Sequence, residues 1–322
     1  IPDLDVRPVS STIKLRTRVM AVFDAAVSVL NAIGTAWIFV IMLCINADVW
    51  SRAAFNLPIS GIPLIIEMSI IAIVFLQLTA ALRGGRLTRS DVLIGRVLKK
   101  RPQLGHSLQS IYHLAGATMM VVLYIYSEGL FLKAWRRETY AGVEGDFTLQ
   151  IWPLKLLILI GSVACAIQFL RHVGLDLRTI RNLVQRDRPD RGAKVIPVVG
   201  FAAVVLIFIS LDNLFGLSSV QVGLISVLFV LFLVYIGVHV GVALGVLSFV
   251  CVWVISDFER AGKLLALAAS SDLQRYEFGV IPLFVLMGLL VSVSDIGKDT
   301  YDVANHIFRK FKGGLGSATV GA

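Results

Sequence analysis

The stretch Val220–Ile255 reads VQVGLISVLFVLFLVYIGVHVGVALGVLSFVCVWVI. A helix crossing the hydrocarbon core of a bilayer, about 30 Å thick, needs about 20 mainly apolar residues. As a single helix this stretch would run about 54 Å at about 1.5 Å per residue. As a hairpin turning near Gly237, each arm would run about 22 Å, which calls for a thinned bilayer or burial against neighbours. The choice depends on which side of the membrane each flanking segment occupies.

Working outward, further apolar spans lie at Ala21–Ala47, Pro63–Leu82, Ile111–Trp135, Ile151–Leu170, Val195–Leu214 and Phe278–Val293, and another begins at Gly313. Strands are not expected in these spans, because backbone polar groups in lipid must be satisfied within a helix or a closed barrel. The first span follows a polar stretch of about 20 residues and is too long for a signal-peptide core, so it reads as retained. Lys and Arg settle the orientation. Arg83, Arg86, Arg89, Arg96, Lys99, Lys100 and Arg101 crowd one connection, and Arg171, Arg178, Arg181, Arg186, Arg188, Arg191 and Lys194 crowd another. With Arg7, Lys14, Arg16 and Arg18, these segments and the N-terminus read as cytoplasmic. The fifth span then leaves the chain outside near Asp212, whereas Arg309, Lys310 and Lys312 favour the inside. An odd number of crossings must lie between, so a hairpin plus the Phe278 span is expected. This layout gives eight full crossings and the start of a ninth, and puts 22 of the 30 basic residues inside.

Composition agrees. The 322 residues are 57% hydrophobic and 16% charged, with mean hydropathy +0.83, against about 45–50% and about 25% in soluble domains. That excludes an ordinary water-soluble enzyme, a disordered chain and a fibrous one. The net charge of +9 sits in short segments between apolar runs, so no nucleic-acid partner is expected. Cys44, Cys165 and Cys251 each lie in an apolar run without metal-ligand spacing, and read as inert buried thiols. No GxxxxGK[ST], HExxH or GxSxG motif occurs, so neither ATP hydrolysis nor acyl-enzyme chemistry is indicated. The polar, helix-breaking run Gln185–Gly192 suits a linker. The chain reads as an all-α integral membrane protein with a four-helix module at 1–192, a connecting helix at 193–217 and the beginning of a second module at 218–322.

Between the first two spans, Asn56, Pro58 and Gly61 are turn residues, and Pro58 forces Leu57 out of the helical region. Arg52 and Glu67 have opposite charge at similar depth, so a structural pair is expected, with a solvated Glu67 as the alternative. Gly237, Gly241 and Gly245 recur every four residues and suggest one smooth helix-packing face. Tyr301, Ala304, Ile307, Phe308 and Phe311 share a face beside Arg309, Lys310 and Lys312, as in an amphipathic helix on the inner surface. Of five histidines, His113 and His172 fall near the inner ends of two spans, where two imidazoles could clasp a haem. Single interfacial histidines are the plainer reading.

The run Arg52…Phe55-Asn56…Pro58-Ile59…Gly61…Glu67, followed by Leu82-Arg83-Gly84-Gly85-Arg86 and Asp91, resembles the small membrane subunit of TRAP transporters, the tripartite ATP-independent periplasmic transporters. Arg86 stands where that family usually carries histidine. The second module resembles the beginning of the large TRAP subunit. There Gly237-Val238-His239-Val240-Gly241 occupies the place of a Gly-x-Pro turn, Pro282-Leu283-Phe284 to Gly288 that of a Pro-Leu-Phe…Gly stretch, and Gly313-Gly314-Leu315 that of a Gly-Gly-Leu. The resemblance implies a fused small–large permease in the bacterial inner membrane, with the large part truncated. It also implies sodium-coupled import of an organic acid, a carboxylate or sugar acid, delivered by a periplasmic binding protein. The small module would be a fixed scaffold and the large one would move substrate by alternating access. Sodium and substrate sites would lie beyond Ala322, with no cofactor, metal or catalytic residue in this segment. The outer loops at 48–61, 133–148 and 257–277 are candidates for docking the binding protein. Two rival readings are a haem-bearing membrane anchor of a redox complex and a non-transporting scaffold subunit.

Overall fold

Long apolar runs without internal breakers propagate as helix until a turn residue stops them, and the helices here are longer than their hydrophobic parts. In a computed structural model, which describes residues 11–143, 147–186, 219–271, 277–294 and 296–308, four helices have the length and composition to cross a membrane. They are α1 (Ser11–Phe55), α2 (Ile62–Arg83), α4 (Pro102–Arg136) and α5 (Trp152–Arg186), with the short α3 (Ile94–Lys100) between the second and third. The first three contain their expected spans whole, and α5 contains all of its span but Ile151. The polar ends stay helical because Lys, Arg, Gln and Leu are good helix formers outside lipid as well. For the same reason Gln185 and Arg186, read as linker, belong to α5.

The stops are where the turn residues put them. Asn56 is left-handed, φ 57°, and its N–H bonds the Arg52 carbonyl at 3.0 Å to close α1. Gly61, φ 83°, and Pro63 open α2. The Gly84-Gly85 pair closes it, with the Gly84 N–H on the Ala80 carbonyl at 2.9 Å.

In the four-helix module α4 packs along α5, α1 along α2, and α2 against α5. Apolar lipid gives no hydrophobic reward for this association, so close approach and interhelical hydrogen bonds matter more. Gly116 of α4 lies where a Cβ would come within 2.7 Å of the Phe169 ring of α5, and Gly161 of α5 where it would come within 2.7 Å of the Phe75 carbonyl of α2. Trp37 Nε1–H donates to Ser69 Oγ at 2.9 Å, and Gln77 Nε2 donates to Thr35 Oγ1 at 3.1 Å, joining α1 to α2.

Between α4 and α5, β1 (Tyr140–Val143) pairs antiparallel with β2 (Phe147–Gln150), Tyr140 opposite Gln150 and Val143 opposite Phe147. This hairpin lies outside the long apolar runs. Each strand satisfies the other's backbone there, so the argument against strands in lipid does not reach it.

The decisive stretch is a hairpin. Helix α6 (Ser219–Ile236) ends at Gly237, φ 103°, and α7 (Val240–Ile255) returns beside it. Then follow α8 (Phe258–Ser271), α9 (Glu277–Val293, with Pro282 inside it) and α10 (Ile296–Phe308). The apolar α6, α7 and α9 have 18, 16 and 17 residues and are shorter than the four spanning helices. Helix α8 replaces most of the outer loop expected at 257–277 and packs on α4 and α7. The expected span Val195–Leu214, residues 187–192 of the linker, Phe311 and the Gly313 span lie outside the described residues.

The expected glycine face is not continuous. A Cβ on Gly237 would meet Ile94 at 2.8 Å and one on Gly245 would meet Met119 at 2.8 Å, but Gly241 and Gly288 face open space. The reason is that Gly237 sits in the turn, off the α7 helix, so the four-residue period does not place the three glycines on one surface.

Candidate functional site

Three polar centres hold the chain together, one beside the α1–α2 turn and two toward the opposite ends of these helices. Beside the α1–α2 turn Asp48, one turn before Arg52 on α1, has a side chain only 3% exposed. Its Oδ1 accepts from the Ile59 N–H at 2.9 Å and its Oδ2 pairs with Arg52 at 2.8 Å, while Ser51 Oγ donates to the Leu57 carbonyl at 2.7 Å. The expected Arg52–Glu67 pair is therefore corrected: Arg52 pairs with Asp48. An i,i+4 carboxylate on the same helix face is nearer to it than a residue beyond the turn. Glu67 is half-buried on α2 and makes no ion pair among the described residues. Gly61 is pressed against the Phe147 ring of β2, and Phe55 projects outward, 73% exposed. Asn56 and Gly61 act through backbone shape, and Pro58 lies in the turn between them.

Toward the opposite end of α1, one carboxylate serves two cations from different helices. Arg83, closing α2, donates to the Asp24 carbonyl at 3.0 Å and to Ser28 Oγ at 3.2 Å, and its guanidinium lies 3.5 Å from Asp24 Oδ1. Arg171 of α5 bonds the same Oδ1. Asp91, the acidic residue of the basic connection after α2, pairs with Arg89 at 3.0 Å in the open.

The third centre joins the two halves of the chain. Asp176 of α5, 8% exposed, accepts from His106 Nδ1–H at 3.0 Å and from His113 Nδ1–H at 2.9 Å, both on α4. His172, one turn before Asp176, stacks on His113 with ring centroids 5.0 Å apart and accepts from Gln168 Nε2 at 3.2 Å. From the α6–α7 turn, His239 brings its ring within 5.6 Å of His113. The Val240 N–H donates to the Thr88 carbonyl at 3.0 Å, and Arg89 and His239 form an antiparallel backbone bridge. Around this polar core, Leu82, Tyr112, Cys165 and Phe169 pack against Leu233, Val238, Val242 and Ala243. The histidines expected to stand singly or to clasp a haem do neither. A bis-imidazole haem needs two nitrogens aimed at one iron from opposite faces of the macrocycle. Here the His113 and His172 rings stack on each other, with no porphyrin's width between them, and their bonded nitrogens are engaged by Asp176 and Gln168.

Sequence reasoning missed Asp24, Asp48, Asp176 and Arg171. An ionisable residue inside or at the edge of an apolar span was the available signal for all four. His106 and His113, seven residues apart, and His172 and Asp176, four apart, share helix faces by spacing alone. Around the start of α8, Arg260 pairs with Asp257 at 3.0 Å and Lys263 with Glu259, so much of the charge there is met locally.

Residues 41–179 match the family described as "Tripartite ATP-independent periplasmic transporters, DctQ component", and residues 225–322 match "Tripartite ATP-independent periplasmic transporter, DctM component". The chain belongs to the TRAP transporters. It fuses a small and a large component in that order, and it is a multi-pass membrane permease component rather than a water-soluble protein. No curated protein sequence matches the chain. Within this TRAP permease the DctQ match takes in the C-terminal part of α1, all of α2 to α4 and most of α5, and the DctM match takes in most of α6 and all of α7 to α10. The histidine centre therefore lies where the first hairpin of the large component meets the small one.

Proposed function

We propose that this TRAP permease imports an organic acid, a carboxylate or sugar acid, in symport with sodium, and receives it from a periplasmic binding protein. The observation that supports this reading is the seating of the large-component hairpin on the small component, through the Val240–Thr88 hydrogen bond and Gly237 against Ile94. Anchored in this way, the four-helix module serves as the fixed scaffold against which the rest of the large component alternates. In secondary transporters the ion and substrate sites are built from broken helices at the midplane, and we assign both sites to that remainder of the large subunit rather than to the residues described above. The boundaries are a small module at 1–192, a connecting helix at 193–217 and the start of the large module at 218–322. The sorting of cations puts the N-terminus in the cytoplasm of a bacterial cell, and the binding protein docks on the opposite face.

The test is uptake into proteoliposomes containing the complete permease, with binding protein preloaded with radiolabelled carboxylates or sugar acids. Accumulation should require both an inward sodium gradient and the binding protein, and should ignore ATP. Uptake that persists without sodium, or that requires ATP, rejects the proposal.

A further inference from the structure

The seam between the two modules carries more titratable chemistry than anchoring requires. His239 caps the hairpin tip with its ring buried, 7% exposed, and its Nδ1 finds no hydrogen-bond partner among the described residues. The groups that face it come from three elements. On α4 there is His113, on α5 there is His172, and on the connection after α2 there are Arg89 and Asp91. Arg89 is a guanidinium cation, and His113 and His172 bring imidazole rings rather than a free carboxylate. Among these groups Asp91 is the acid, and it is exposed and already paired with Arg89. Asp176 is occupied by His106 and His113. A proton added to His239 would thus be buried beside the Arg89 cation, with no carboxylate of its own.

The backbone hold on the tip is slight. It consists of the Val240–Thr88 hydrogen bond, the Arg89–His239 bridge and the fit of Gly237 on Ile94 and the Ser90 carbonyl, 3.0 Å from the position a Cβ would take. A single net hydrogen bond contributes about 1 kcal/mol and the burial of Val238 at the tip about 1.5–3 kcal/mol, so an unpaired buried charge removes a substantial part of the hold. We infer that the tip Gly237–His239 is a proton-released latch. It stays seated on the small module while His239 is neutral, and it lets go when His239 takes up a proton from the inner side.

Burial, and after it the neighbouring His113 and Arg89, push the His239 imidazole down to about 4 from its ordinary 6.5. An unseated tip returns the ring to water and to the ordinary value. The seated state therefore binds fewer protons. The latch is at full strength above about pH 6.5, weakens as pH falls, and has lost this contribution below about pH 4. Between pH 7.5 and 5.5 the ratio of seated to unseated tip falls about tenfold.

Amide hydrogen exchange on the whole chain in lipid nanodiscs reads this ratio directly. With rates corrected for the intrinsic effect of pH, protection of the Val240 amide should fall about tenfold from pH 7.5 to 5.5. The Gly84 amide, bonded within the small module to the Ala80 carbonyl, should keep its protection. In His239→Gln the Val240 protection should no longer depend on pH. Unchanged Val240 protection in the native chain overturns the latch whether or not any variant folds. An undiminished pH response in His239→Gln, or in His239→Asn where the first variant does not fold, overturns the role of His239.

Discussion

Asp48 fixes the outer turn by holding the Ile59 N–H with one oxygen and Arg52 with the other. Removing the carboxylate frees the loop backbone and strands a guanidinium at once, whereas neutralising Glu67 breaks no ion pair among the described residues. Asp48→Ala should therefore lower the melting temperature in detergent and expose the 56–61 turn to proteolysis, while Glu67→Gln leaves both nearly unchanged. Gly61 offers a sharper test. A side chain there must accept a left-handed backbone, which costs about 1–2 kcal/mol, and must also displace the Phe147 ring. Gly61→Ala should destabilise by at least that amount. Phe147→Ala should recover only the ring-contact part in a double-mutant cycle, because the backbone cost remains.

The Asp24 centre ties three helices through one carboxylate, yet its three side chains are each about a third exposed. Exposed ion pairs contribute about 0–1 kcal/mol, so Asp24→Ala should cost about 1 kcal/mol or less in a detergent unfolding titration. Part of that cost should be recovered by adding Arg171→Ala, since two unshared guanidiniums then become one. The helices around this centre were legible as apolar lengths, because hydropathy marks the part of each helix that lies in lipid. Their true ends were not, because 11–20 and 171–186 continue as helix beyond the apolar runs, on polar residues that hydropathy does not mark. The hairpin at Gly237 followed from counting sides of the membrane, a constraint the chain cannot evade. The turn at Asn56–Gly61 was readable from residue types. Its bracing was not, because Arg52 had two carboxylates within plausible reach and only the three-dimensional turn selects one. The histidine centre was the least legible. Positions 106, 113, 172, 176 and 239 meet only after two helices and a hairpin have packed, and no local pattern announces that. The short strands at 140–150 were missed because lipid governed the reasoning and this loop stands clear of it.

At the scale of the molecule, the proposed orientation makes a labelling prediction from the sorting of charge. Lys99→Cys, in the basic connection, should react with a membrane-impermeant maleimide only when the cytoplasmic face is open to the reagent. Tyr140→Cys, half exposed on the hairpin, should react from the periplasmic face of intact spheroplasts. The reverse pattern would invert the whole arrangement. Beside the α1–α2 turn, Phe147 rests on Gly61, and a Cβ on Gly142 would come within 3.1 Å of Leu64 at the start of α2. At the hairpin's base Trp135 and Trp152 meet edge to face at 4.7 Å. The strand pair and the α1–α2 turn thus form one stiff unit rather than two independent fingers. A force applied to either one pushes on both, and the load passes straight down α2 into the bundle.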